Sequence, residues 1–256
     1  LLVVRAVARH KRLGATRSTQ ATHVLGSWPQ STFMDTGDTL QLWTATPSRF
    51  TLTAFGQAAL QQGVRAPFAS VTRSTGGETP RFAYSIMSET FNNLSQTIIW
   101  TVDDRWVQAT DELSNQNLIN TYFEPTQAEV LKFDFSGDSP QLDAVIYEKK
   151  IKDKISNFNV AILGLGQDGH IASLFPNSEA TMDKESLYVA NEVNIKTKWR
   201  VTATFKLLGK IDKIFILATG ENKNDILKSV NADNDLPINT LKKFSNNIEI
   251  VTDQII

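Results

Sequence analysis

The chain has 256 residues, with 26 Lys and Arg against 27 Asp and Glu for a formal net charge of −1; 41% of its residues are hydrophobic and 21% charged. A near-neutral charge argues against a basic nucleic-acid binder, and the apolar fraction excludes a disordered chain and allows a sizeable core. With no Cys, disulfides, thiol nucleophiles and thiolate metal sites are ruled out, and with only His10, His23 and His170 a multi-histidine metal site is disfavoured.

Along the chain, residues 1–34 hold Arg5, Arg9, Lys11, Arg12 and Arg17 with no Asp or Glu, a composition that suits an organellar transit peptide and equally a basic surface segment. No apolar run approaches the roughly 18 residues of a membrane span. From there the pattern predicts helices over 52–62, 80–92, 112–123, 141–156 and 221–232, and strands over 68–72, 97–102, 159–163, 187–193, 199–204, 213–218 and 247–251. Ile98-Ile99-Trp100 and Val160-Ala161-Ile162-Leu163 are too short for stable helices and too continuously apolar for strands with one wet face. They fit strands buried on both faces of a parallel sheet. The alternation predicts an α/β, Rossmann-like fold, with a mainly parallel sheet, helices on both faces and ligand loops at the carboxyl ends of the strands. One domain over 51–256, preceded by an extension over 1–50, is the economical organisation. Through Arg105 there are nine Arg and one Lys, and after it fifteen Lys and one Arg, Arg200, an asymmetry of the kind that can mark unlike halves.

The strongest local signal follows the strand expected at 159–163. Gly164, Gly166 and Gly169 satisfy the G-x-G-x-x-G spacing of a dinucleotide-binding turn. Pro176, however, would break the required helix early, and the acidic residue about 20 positions on, Glu185, precedes the next expected strand instead of ending it. The other reading is a tight glycine turn that presents Asp168 and His170 at the strand end. An imidazole can take a proton from water near neutral pH, and a carboxylate two residues away can orient its ring, which is the arrangement of a general base. A histidine that merely hydrogen-bonds its own turn is the plainer alternative.

The run Gly164-Leu165-Gly166-Gln167-Asp168-Gly169-His170-Ile171-Ala172-Ser173-Leu174-Phe175-Pro176 resembles the signature of the 6-phosphogluconolactonase family, in the superfamily that also holds glucosamine-6-phosphate deaminase. Further landmarks follow the family's order. Thr75-Gly76-Gly77-Glu78-Thr79-Pro80 resembles its phosphate loop: paired glycines let backbone N–H groups converge on an anion, and Thr79 adds a hydroxyl. Glu78 departs from the small hydroxyl residue usual there. Asp103-Asp104-Arg105-Trp106 and Ser114-Asn115 resemble the family's Asp-Glu-Arg segment and downstream Ser-Asn, with Asp104 in place of Glu. Arg105 is suited to stabilising an oxyanion or to a surface ion pair with its neighbours, and Asp103 and Asp104 to either catalytic or structural hydrogen bonding. Arg200 and Lys223 match superfamily positions that complete the phosphate site.

The resemblance implies hydrolysis of 6-phospho-D-glucono-1,5-lactone to 6-phosphogluconate in the oxidative pentose phosphate pathway. It assigns catalysis to His170, Asp168 and Arg105, and phosphate binding to Gly76, Gly77, Thr79, Arg200 and Lys223, with Asp103 and Asp104 as further candidates. It implies no metal or organic cofactor, and as partner a small sugar-phosphate lactone rather than nucleic acid or membrane, with monomer and dimer both open. The implied location is the cytoplasm, with an organelle as the alternative if the basic N-terminal stretch is a targeting remnant. The deaminase branch carries Glu immediately before the motif's proline, where this chain has Phe175, so the lactonase branch is favoured. A deaminase-like isomerase and an inactive sugar-phosphate binder are the alternatives. Landmarks on both sides of Arg105 in one continuous order argue against a domain boundary at the Arg-to-Lys switch.

Overall fold

Four consecutive apolar side chains, Val160 to Leu163, must be covered on two sides if they form a strand. The computed structural model shows both sides covered. It describes residues 2–4, 68–69, 78–90, 94–195, 197–232 and 234–254. The helix expected over 52–62, the basic stretch over 5–34 and the Gly76-Gly77 loop lie outside the described residues. In chain order the elements are β1 (Leu2–Val4), β2 (Phe68–Ala69), α1 (Glu78–Thr90), β3 (Ile98–Trp100), β4 (Asp103–Arg105), α2 (Asn115–Phe123), β5 (Glu129–Leu131) and α3 (Pro140–Lys154). Then follow β6 (Phe158–Gly164), β7 (Tyr188–Glu192), β8 (Trp199–Ala203), α4 (Phe205–Leu208), β9 (Ile211–Ala218), α5 (Asn224–Ser229), α6 (Pro237–Leu241) and β10 (Ile248–Thr252). Single 3-10 turns occupy Glu179–Thr181 and Glu221–Lys223.

Seven strands form one parallel sheet in the order β1-β10-β9-β6-β2-β3-β5. On β6, Val160 and Ile162 enter a core with Tyr84 and Met87 of α1 and Leu118, Ile119 and Phe123 of α2. Ala161 and Leu163 enter a second core with Tyr147 and Ile151 of α3, Val201 of β8 and Phe205 of α4. Each fully buried Leu or Ile contributes roughly 1.5–3 kcal/mol, so this one strand joins two cores. The fold class read from the sequence is the one observed: an α/β fold, with a parallel sheet and helices on both faces. Among the described residues no helix is long and apolar enough to cross a membrane.

The strands expected over 187–193 and 199–204 take a different arrangement from the rest. As β7 and β8 they join β4 in a separate antiparallel sheet, in the order β4-β8-β7. The loop over 193–198 is too short for the crossover that parallel neighbours require, so the pair closes as a hairpin. The helix expected from 112 starts at Asn115, because Ser114 caps it by accepting from the Asn117 amide at 3.1 Å. The helix expected over 221–232 is a 3-10 turn followed by α5, and it stops at Ser229; Asn231, at φ 76°, turns the chain away.

The order of the parallel sheet positions the site. From β2 the chain moves outward through β3 to β5, and from β6 it moves the other way through β9 to β10. Direction therefore reverses between β2 and β6, and ligands of such sheets bind beyond the carboxyl ends of the strands at that reversal.

Candidate active site

The chain leaves β6 through Leu165, whose amide makes the last ladder bond, to Leu217 O at 3.2 Å, and then folds back so that Gly166 N donates to His170 O at 2.8 Å. This brings the two side chains of the turn into contact: His170 Nδ1 lies 2.5 Å from Asp168 Oδ1, which also accepts from the His170 amide at 3.2 Å. Glycine at 166 is a steric requirement, since a Cβ there would fall 2.0 Å from His170 Nδ1 and 2.6 Å from Asp168 Oδ1. Gly169 has φ +83°, a left-handed conformation that glycine adopts freely. The Phe175 ring packs on the imidazole, with centroids 4.3 Å apart. Burial pushes the Asp168 carboxyl up, but the hydrogen bond and charge of His170 outweigh it and hold the group below its ordinary value. In a neutral imidazole whose Nδ1 donates to this carboxylate, the lone pair is on Nε2.

The antiparallel sheet supplies positive charge. Arg105 on β4 stands directly opposite Arg200 on β8. Arg105 Nη1 donates to Leu113 O at 2.8 Å and to Asn115 Oδ1 at 3.4 Å, while Arg200 Nη1 donates to the carbonyl and hydroxyl oxygens of Thr197. Burial and the neighbouring Arg105 lower the Arg200 guanidinium to about 10. Asp104 is turned into the start of α2: its carboxylate accepts from Asn115 N at 2.6 Å, Gln116 N at 2.9 Å and the Ser114 hydroxyl at 3.0 Å. That is an anchoring role, and burial pushes this carboxyl up to about 6 against those donors. Asp103, also buried, accepts from Ser173 Oγ at 2.5 Å and Asn115 Nδ2 at 3.2 Å. Burial raises its carboxyl, opposed by the Ser173 hydrogen bond and by the charges of Arg105, Arg200 and His170.

Lys223, at the end of the 3-10 turn that follows β9, is 3% exposed, and among the described residues its Nζ has no hydrogen-bond partner. Burial lowers its ammonium and the nearby Asp168 partly restores it. A buried cation without a partner is unfavourable unless an anion completes it. The turn is held from behind, as Gly220 N donates to Asp253 Oδ1 at 2.9 Å.

Of the sequence candidates, then, His170, Asp168, Arg105, Arg200, Asp103 and Lys223 gather at the carboxyl end of the parallel sheet, while Asp104 faces α2. Gly76 and Gly77 lie outside the described residues; Thr79 is in the first turn of α1. Among the described residues, no group of three or more His, Cys, Asp or Glu side chains is arranged to hold a metal ion. Three parts of the site are not apparent from sequence spacing: Ser173, Asn115 as a bridge between Asp103 and Arg105, and Phe175 as a ring support. The one available signal was Ser173 itself, a lone polar side chain within Ile171-Ala172-Ser173-Leu174-Phe175. As a unit the cluster offers an imidazole oriented by a carboxylate together with three cationic side chains, a set that suits attack by water on an anionic substrate whose transition state gains negative charge.

Comparison with known proteins identifies the family. A family model described as glucosamine-6-phosphate isomerases/6-phosphogluconolactonase matches residues 55–250. The chain is 32% identical over 165 residues to a 6-phosphogluconolactonase of Haemophilus influenzae, covering 61% of this chain and 71% of that one. It is 30% identical over 179 residues to a 6-phosphogluconolactonase of Chlamydia pneumoniae, covering 68% and 69%. In fold it is similar to the solved 6-phosphogluconolactonase of Trypanosoma brucei, with TM-score 0.68 and 24% identity over 82% of this chain and 94% of that one. The Thermotoga maritima structure gives TM-score 0.67 and 24% identity, covering 79% and 94%.

Proposed function

Since the chain belongs to the family of glucosamine-6-phosphate isomerases and 6-phosphogluconolactonases, we propose that it hydrolyses 6-phospho-D-glucono-1,5-lactone to 6-phosphogluconate, with His170 as the general base. The observation that carries this reading is the pairing of an oriented imidazole with a buried, unpartnered ammonium: the His170–Asp168 contact beside Lys223 Nζ, among the described residues. The first suits activation of water, and the second suits an anionic group fixed at a distance from the reacting carbon.

In this mechanism the substrate phosphate is held by Lys223 and Arg200, with the Gly76-Gly77 loop and Thr79. His170 Nε2 takes a proton from water as the water oxygen bonds to the lactone carbonyl carbon. Arg105 offsets the charge that develops on the carbonyl oxygen. The tetrahedral intermediate then collapses by breaking the bond from that carbon to the ring oxygen, which takes the proton back from His170. Phe175, packed on His170, puts hydrocarbon where ring opening with amine loss would need a second acid, which supports hydrolysis over deamination. On this reading the reaction belongs to the oxidative pentose phosphate pathway. The test generates the lactone in situ and follows 6-phosphogluconate in a coupled assay. Opening well above the spontaneous rate is expected, with much slower opening of the lactone that lacks phosphate; a rate equal to the spontaneous one removes the reading.

A further inference from the structure

Ser173 uses all three of its polar groups, and each meets a different strand of the antiparallel sheet. Its amide donates to Thr202 Oγ1 on β8 at 3.1 Å, its hydroxyl donates to Asp103 Oδ2 on β4 at 2.5 Å, and its carbonyl accepts from Asn191 Nδ2 on β7 at 2.8 Å. The residue is 2% exposed, so water does not compete for these bonds. Residues directly opposite in an antiparallel ladder share a face, and the register pairs Asp103 with Thr202, Arg105 with Arg200, and Arg200 with Asn191. The face that clasps Ser173 is therefore the face that carries both arginines. On the other side, only Ile171 and Ala172 separate Ser173 from His170. Ile171 is bridged to Leu165 and Leu174, and Ala172 has φ 51°, a left-handed conformation unfavourable for a residue with a Cβ. Such a turn persists only where its surroundings over-determine it.

We propose that Ser173 is a positioning residue that sets the alignment of His170, carried by the parallel sheet, with Arg105 and Arg200, carried by the antiparallel one. The inference rests on the reading of His170 as base and Arg105 as its oxyanion partner. Each half of the site belongs to a different sheet, and Ser173 is the residue through which the turn of one is bonded to all three strands of the other. Its hydroxyl, committed to Asp103, acts through that alignment and not on the substrate.

Ser173→Ala leaves both backbone bonds and removes only the bond to Asp103. The expected result is a fall in kcat of roughly 10- to 100-fold, the scale of a sub-ångström to ångström misplacement. Arg105→Lys keeps the charge but loses the guanidinium fork that has to be aligned, so in that background Ser173→Ala should lower kcat by less than about threefold. A purely structural serine would lower it by the same factor in both. Ser173→Cys, similar in size with a weak donor, should recover part of the rate, and it takes the place of Ser173→Ala in the cycle if that variant fails to fold. A loss below threefold in the otherwise unaltered chain, or an equal loss in both backgrounds, overturns the proposal. Failure of the underlying reading is separate: it would appear as full activity in His170→Ala, whatever the Ser173 variants do.

Discussion

At the scale of single residues, the site is organised by what is missing as much as by what is present. Gly166 has no Cβ because the imidazole and carboxylate occupy that space. Gly166→Ala should therefore displace His170 or Asp168 by an ångström or more and reduce kcat about 100-fold. The melting temperature should fall by only a few degrees, since the atoms met are side chains able to swing aside. Lys223 lacks a partner among the described residues, and this separates its contributions to folding and to binding. Lys223→Met removes a buried charge, so the free protein should melt no lower than the parent. Affinity for 6-phosphogluconate, read by calorimetric titration, should weaken by roughly 10- to 100-fold, the worth of a charge-assisted hydrogen bond of about 1.5–3 kcal/mol. Unchanged affinity would place the phosphate elsewhere. The glycine turn was legible in the sequence because its contacts span five residues, 166 to 170. The role of Ser173 was not, because its partners arrive from positions 103, 191 and 202, and spacing along the chain carries no trace of such meetings.

At the scale of elements, β4 and α2 form a unit joined by Asp104, and this joint is sensitive to pH. Burial raises the Asp104 carboxyl from its ordinary 3.8 to about 6, against the donors at the start of α2. Because the folded value is the higher one, the stability linked to this group is fully present below pH 3.8 and is lost as pH rises through about 6, a change of about 3 kcal/mol. Urea unfolding of the parent chain and Asp104→Asn at pH 4 and pH 7 isolates it, since other titrations cancel in the difference. The stability of the parent relative to the variant should be greater at pH 4; the same difference at both pH values would mean that Asp104 titrates alike in folded and unfolded chains. Apolar runs made β6 and β9 legible, as strands buried on two faces must be. Strand β4 was not legible, because Asp103-Asp104-Arg105 contains neither β-branched nor aromatic residues. Its pairing with β8 overrides local preference and sets Arg105 opposite Arg200.

At the scale of the whole molecule, two sheets divide the chemistry. The parallel sheet, through its reversal between β2 and β6, carries His170 and Lys223; the antiparallel sheet carries Arg105 and Arg200. Alternating helices and strands disclosed the first sheet, whereas the second depended on a hairpin and a three-residue strand that only tertiary contacts define. The change from arginine to lysine after Arg105 is not a structural border, since Arg105 pairs directly with Arg200 from the lysine-rich part. The near-zero net charge likewise conceals the pairing of Arg105 with Arg200 and the burial of Lys223. The whole arrangement has meaning as an enzyme only if the imidazole at its centre moves the proton. The most direct measurement is the rate of opening of the 6-phosphorylated lactone, generated in situ, by the parent chain and by His170→Ala at matched concentration. The account predicts opening well above the spontaneous rate for the parent and a fall of at least 100-fold for the variant, with affinity for 6-phosphogluconate retained. Opening at the parental rate by His170→Ala would contradict it.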